Sequence, residues 1–213
     1  MAVSSYKSVI LFSSFTFEQV TVLKFHSSHV NDLVWSANDL KLATTGADGG
    51  IYVYDYYLGQ KELEYPYRST DFSSIAVIEG IFTVCGQNSN NTLILKQTGG
   101  DFLPIDLGSK IRLNRILGFE SFHGTHCFIG GSASGSIEIF GSEPSDTAIE
   151  SILAHKGGVT RLKSSFDGRY VFSCGEDGAI FVYHVIEDKD LHPQMEKIEL
   201  RGEPQEYRIV DES

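Results

Sequence analysis

Two groups of side chains in this 213-residue chain contain the parts of a hydrolytic centre. His26, Thr44 and Asp48 offer a base, a hydroxyl and a carboxylate, and His155, Ser173 and Asp177 offer the same three. Such a set can activate a hydroxyl nucleophile through an imidazole oriented by a carboxylate. The spacing points to another use. Each His precedes its Asp by 22 residues, and an aromatic, Tyr54 or Tyr183, follows each Asp by six. A catalytic centre need be built only once, whereas a device that ties a structural unit together recurs with the unit. A buried carboxylate requires donors, and an imidazole N–H with a hydroxyl meets that need. The sets are therefore read as structural tetrads, His26, Thr44, Asp48 and Tyr54 in one copy and His155, Ser173, Asp177 and Tyr183 in the other. No residue is assigned a catalytic role.

The units that those tetrads would tie are visible as an internal repeat. Residues 25–55 lie over residues 154–184 without a gap, an offset of 129, which is three periods of 43. A period of about 40 to 45 residues marks propeller blades of four strands each. Residues 82–100 and 127–142 are degenerate copies, in the second of which Ser134-Gly135 stands for the Asp-Gly and Phe140 for the Tyr. Apolar and polar residues alternate over short runs that break at Gly, Asn, Asp or Ser, with no sustained helical period, so the chain is expected to be all-β. The pattern predicts a leading pair of strands at 7–12 and 18–25, then four units of four. These are 30–35, 41–46, 50–54 and 60–66; 73–78, 81–86, 92–97 and 102–107; 112–119, 126–131, 136–140 and 147–153; and 159–164, 170–175, 179–185 and 196–200.

With 41% apolar and 12% aromatic residues the chain reads as soluble and globular. Its longest apolar stretches, such as 8–11 and 92–95, fall far short of the ~20 residues that a membrane helix needs. The first residues show neither a basic region nor a small-residue cleavage site, so no secretory signal is read and a cytoplasmic location is expected. The net charge of −11 would repel nucleic-acid phosphates and suits a basic protein surface. Cys85, Cys127 and Cys174 fall in the second strands of different repeats without CxxC spacing and read as small buried hydrophobes. His123, His126 and Cys127 lack a fourth ligand for zinc, the Asn90-Asn91-Thr92 sequon is irrelevant without secretion, and Gly131-x-x-x-Gly135 is a hairpin turn. No metal and no cofactor is expected. Tyr56 and Tyr57 fall in an exposed turn, where adjacent aromatics make a candidate contact patch or fold back on the blade edge.

The tetrad positions also carry a resemblance. Phe25-His26, Thr44, Asp48 and Tyr54-Asp55, like Ala154-His155, Ser173, Asp177 and Tyr183-His184, map onto the Gly-His, Ser/Thr, Asp and Trp-Asp of the WD-repeat family. Neither Gly-His nor Trp-Asp is intact, and the two middle repeats lack the His and the Asp. The chain resembles that family over roughly residues 7–200. The resemblance implies a hydrogen-bonded tetrad inside the blade and a WD-repeat β-propeller of four blades plus an outer half-blade over residues 1–200. An acidic linker or disordered tail over 201–213 would follow; residues 187–213 hold nine acids against four bases, a net of −5. Seven blades need about 300 residues, so the chain is expected to be part of a larger, seven-bladed propeller and to self-associate when made alone.

The last repeat with its exit, residues 154–190, resembles the closing blades of the ciliary WD-repeat proteins, as do H-x-x-x-V-N-D-L-V-W (26–35) and T-G-A-D-G-x-x-Y (45–52). That similarity implies a parent with two propellers and a long coiled coil, anchored on the axonemal doublet beside inner dynein arms. The expected function is that of a non-enzymatic scaffold module of the cilium or flagellum. Its expected partners are other protein subunits, axonemal and either dynein-associated or doublet-bound, together with the missing blades from the same parent or another chain. Neither nucleic acid nor membrane is expected. The alternatives are a cytosolic adaptor or substrate receptor unrelated to cilia, and a propeller hydrolase using one of the His/Asp pairs.

Overall fold

In the computed structural model, residues 1–67, 69–88, 92–105, 107, 111–122, 124–142, 144–188 and 197–201 are described, and these hold nineteen strands in five antiparallel sheets and no helix. His123, the sequon residues Asn90 and Asn91, and the tail beyond Arg201 lie outside them. The chain divides into two compact units, Met1–Pro104 and Ile105–Ser213.

The first unit opens on a sheet of β1 (Ala2–Ser5), β2 (Ser8–Phe12) and β3 (Gln19–Leu23). This corrects the expected pair, because the leading sheet has three strands and β1 pairs with β2 from Ala2↔Leu11 to Ser5↔Ser8. Ala-Val-Ser-Ser is too short and polar to announce a strand, and its turn uses Tyr6 at φ 53, a conformation that bulky residues rarely take. The first blade follows as β4 (Val30–Trp35), β5 (Lys41–Gly46), β6 (Gly50–Asp55) and β7 (Gln60–Pro66), and the second as β8 (Thr70–Ile78), β9 (Ile81–Asn88), β10 (Thr92–Thr98) and β11 (Asp101–Ile105).

Strands β5 and β6 are buried on both faces, so their period of two sorts residues between two cores and not between core and water. Leu42 and Tyr54 join Val9, Leu11 and Leu23 beneath the leading sheet. Ala43, Ile51 and Val53 join Phe72, Ile75, Phe82, Val84, Leu95 and Phe102 against the second blade. A one-residue slip would exchange the two sets, which pins the register.

The second unit repeats the plan. Its third blade is β12 (Leu113–Glu120), β13 (His126–Ser132), β14 (Ser136–Ile139) and β15 (Glu150–Leu153). Its fourth is β16 (Val159–Ser164), β17 (Tyr170–Gly175), β18 (Ile180–Asp188) and β19 (Lys197–Arg201). Phe119, Cys127, Ile129, Ile137 and Ile139 pack with Val159, Leu162, Val171 and Tyr183 between them. The turn from second to third strand is where the blades adjoin. Gly135, at φ 92, accepts the His155 amide at 3.0 Å, and a Cβ there would run into the His155 carbonyl. Gly49, at φ 70, meets the Tyr67 carbonyl in the same way and accepts the Tyr67 amide at 2.7 Å. Only glycine satisfies both the dihedral and the approach.

Candidate functional site

The loop between β3 and β4 carries His26, and the turn between β5 and β6 carries Asp48. The His26 Nδ1–H donates to Asp48 Oδ1 at 2.9 Å, and Nε2 accepts the Thr44 hydroxyl at 3.0 Å. The other Asp48 oxygen takes the Ser27 amide at 2.6 Å, while Oδ1 also takes the Gly50 amide at 3.0 Å. In the fourth blade His155 stands 3.0 Å from Asp177 Oδ1 and 2.8 Å from Ser173 Oγ, and the Lys156 and Ala179 amides donate to the Asp177 carboxylate. Each set fastens the loop that enters a blade to a turn inside the same blade.

The fourth member differs between the copies. Tyr183 OH reaches Ser173 Oγ at 3.5 Å. Tyr54, the expected counterpart, makes no hydrogen bond to Thr44 among the described residues; it lies opposite Leu42, and its ring is spent in the core beneath the leading sheet. The ring that attends His26 is Tyr52, directly across from Thr44 and edge-on to the imidazole at 4.7 Å. Its repeat equivalent, Phe181, sits 4.8 Å from His155. Sequence reasoning missed this pair, though an aromatic two residues before each tetrad tyrosine was the available signal.

The order hydroxyl, imidazole, carboxylate is that of a hydrolytic triad, yet Thr44 is 2% exposed and Ser173 0%. Neither hydroxyl has a face open to a substrate. Burial works to raise the Asp48 carboxyl, but hydrogen bonds from His26, Gly50 and Ser27 overcome it and leave the group below the usual carboxylate range. The Lys156 amide, helped by Ala179 and His155 and opposed by burial, holds Asp177 down at about 2. Both carboxylates stay charged and act as fixed acceptors. Burial lifts the Tyr183 phenol against its bond to Ser173, and pushes the Cys127 thiol up to about 12. Among the described residues no three His, Cys, Asp or Glu gather closely enough to hold a metal ion.

Two further devices were not legible beforehand. The first strand of every blade carries a register shift, which leaves Asn31, Ser73, Asn114 and Thr160 at equivalent bulged positions. Asn31 reaches across to the Phe72 carbonyl at 2.8 Å and to Asp71, and Asn114 to the Val159 carbonyl at 2.8 Å. Ser73 and Thr160 bond to Cys85 and Cys174 carbonyls within their own blades. The third blade closes its turn with Ser132, whose Oγ lies 2.8 Å from both Ser134 and Ser136, so no His–Asp pair is needed there.

Tyr57 is 82% exposed, whereas Tyr56 is 46% exposed and turns one edge to Trp35 at 6.0 Å. Tyr56 and Trp35 line a cleft of about 490 Å³ in the first unit, together with Leu11, Phe12, Phe15 and Asp39. The cleft gathers the β2–β3, β4–β5 and β6–β7 turns at one end of the sheets.

Four-stranded antiparallel blades, two of them with an entry loop fastened by His, Asp and a hydroxyl, are the units of a β-propeller. The WD40 family model, WD domain, G-beta repeat, matches residues 17–55 and 147–184, the segments that hold the two tetrads. Among solved structures, the β-propeller domain of Myceliophteria thermophila Cps50 (Swd1) matches with a TM-score of 0.74 at 16% identity, over 93% of this chain and 66% of that one. The chain is similar to cilia- and flagella-associated protein 57 of Mus musculus, with 26% identity over 189 residues, 84% of this chain and 14% of that protein. It is also 26% identical over 204 residues to cilia- and flagella-associated protein 57 C of Tetrahymena thermophila, 88% of this chain and 15% of that one. It spans about one seventh of the length of these curated relatives.

Proposed function

We propose that this chain is a non-enzymatic scaffold module whose WD-repeat blades present turns to other protein subunits of the ciliary or flagellar axoneme, near inner dynein arms. The observation that carries this reading is the 26% identity, across 84% of the chain, to a protein named for its association with cilia and flagella. The tetrads support a structural use, because the same set occurs twice and both hydroxyls are closed off. Sheets that hold their turns rigidly bind with little loss of conformational freedom. Tyr56 and Tyr57 are the proposed contact patch, since aromatic side chains bring large contact area with few rotatable bonds.

The test is to tag the parent protein at its own locus in a ciliated cell, extract with detergent, and cross-link what remains. Retention on the axoneme with cross-links to doublet or dynein subunits is the expected result. A wholly extractable pool captured with a degradation or coat complex would replace this reading with the adaptor one. Ester turnover by the purified chain, abolished in a folded His155→Ala variant, would favour the hydrolase.

A further inference from the structure

We infer that the cleft beside Trp35 seats an arginine side chain presented by a basic segment of a partner protein. The inference rests on the scaffold reading and names the chemistry of its partner. It comes from comparing the two repeat copies. Trp35 and Tyr56 stand where the fourth blade has Ser164 and Val185, so the aromatic lining is not demanded by the repeat. Phe15 adds a ring that is 93% exposed. Trp35 and Tyr56 meet at 77°, leaving a corner of aromatic faces against which a planar guanidinium stacks well.

Asp39 supplies the countercharge. In the fourth blade the equivalent turn is held by Asp167, which accepts from Ser165 Oγ and the Arg169 amide, and continues through Gly168 at φ 65. In the first blade Asn38 does that work, accepting from Ser36 Oγ and the Leu40 amide. Asp39 then occupies the glycine position at φ 57, and its carboxylate makes no hydrogen bond or ion pair among the described residues. A left-handed aspartate with no structural duty, at the rim of an aromatic cleft, is placed to receive a cation. The Met1 ammonium at the same rim is held by the Phe12 carbonyl at 2.9 Å, and nearby Lys41 is paired with Glu62. The chain's net charge of −11 draws a basic segment toward it.

Trp35 is the only tryptophan in the sequence, so its fluorescence reports on the cleft directly. The full chain is titrated with a Gly/Ser peptide carrying spaced arginines, and with the same peptide carrying citrulline, lysine or norleucine. The arginine peptide should give a saturable change and bind about fivefold tighter than the uncharged citrulline isostere, a preference that shrinks with salt. Asp39→Gly, which suits the dihedral, should abolish that preference, and Phe15→Ser should weaken both peptides. Equal binding of arginine and citrulline peptides, or tighter binding of norleucine, overturns the inference. So does a Trp35 change that tracks the chain's own concentration with dimers in light scattering, which would make a second copy the occupant. If the arginine preference is missing while the parent remains on extracted axonemes, the cleft assignment fails and the scaffold reading stands. If the preference is present and axonemal retention is absent, the reverse holds.

Discussion

Removing the His26 imidazole tests by energetics whether His26 and Thr44 act as a structural pair. His26→Ala leaves Asp48 with the Ser27 and Gly50 amides, so the carboxylate keeps donors. Thr44, at 2% exposure, loses the acceptor of its hydroxyl proton. An orphaned buried hydroxyl costs about 1–3 kcal/mol. The space left against the Tyr52 ring adds roughly another 1 kcal/mol, so the whole loss should be about 2–4 kcal/mol. Thr44→Val alone strands Nε2 without its donor and should cost about 1–3 kcal/mol. The double variant strands nothing, so it should be more stable than the sum of the singles by about 1–2 kcal/mol. Urea unfolding followed by Trp35 fluorescence reads this in the same unit, as a midpoint shift of about 1 M for the His26 variant. Additive losses would show that His26 and Thr44 are not an energetic pair, and the reasoning behind both tetrads would fall.

The Asp177 carboxyl is held at about 2, below the roughly 3.9 of an unfolded chain, so its contribution is whole above pH about 4 and drains away toward pH about 2. The stability gap between wild type and Asp177→Asn should therefore close across that window, and a gap that stays constant would contradict the assignment. Gly135→Ala and Gly178→Ala face the same left-handed penalty of about 1–2 kcal/mol, but only at Gly135 does a Cβ meet a neighbouring carbonyl. Gly135→Ala should be clearly the worse in thermal unfolding; equal losses would mean that the turn does not abut the His155 loop. Maleimide should label half-exposed Cys174 well before Cys127, whose thiol is buried and pushed up to about 12, and faster labelling of Cys127 would place it outside the core.

What was legible in the sequence is what depends on fixed local spacing. The interval from His26 to Asp48 and from His155 to Asp177 is set by two strands and their turns, so it is the same in both copies and discloses the repeat. Most strand positions followed from the same alternation and turn residues. Strand β1 was hidden because it is only four residues long, half of them serine, and its turn places Tyr6 in a glycine-like conformation. The bulged Asn31 and Asn114 were hidden because their partners are carbonyls of the following blade, 41 and 45 residues on. Tyr54 was misassigned for a related reason: repeat alignment gives equivalence of position, while the core beneath the leading sheet decides what the ring touches. The cleft at Trp35 lies where the two copies differ, so the repeat carries no sign of it.

The most direct test of a module that works by contact is cosedimentation of the purified chain with axonemes stripped of the native protein. Wild type should pellet with the doublets, and Tyr56→Ser/Tyr57→Ser should remain in the supernatant while unfolding at the wild-type urea midpoint. Wild-type chain that stays in the supernatant, or a double variant that pellets as wild type does, would contradict the account.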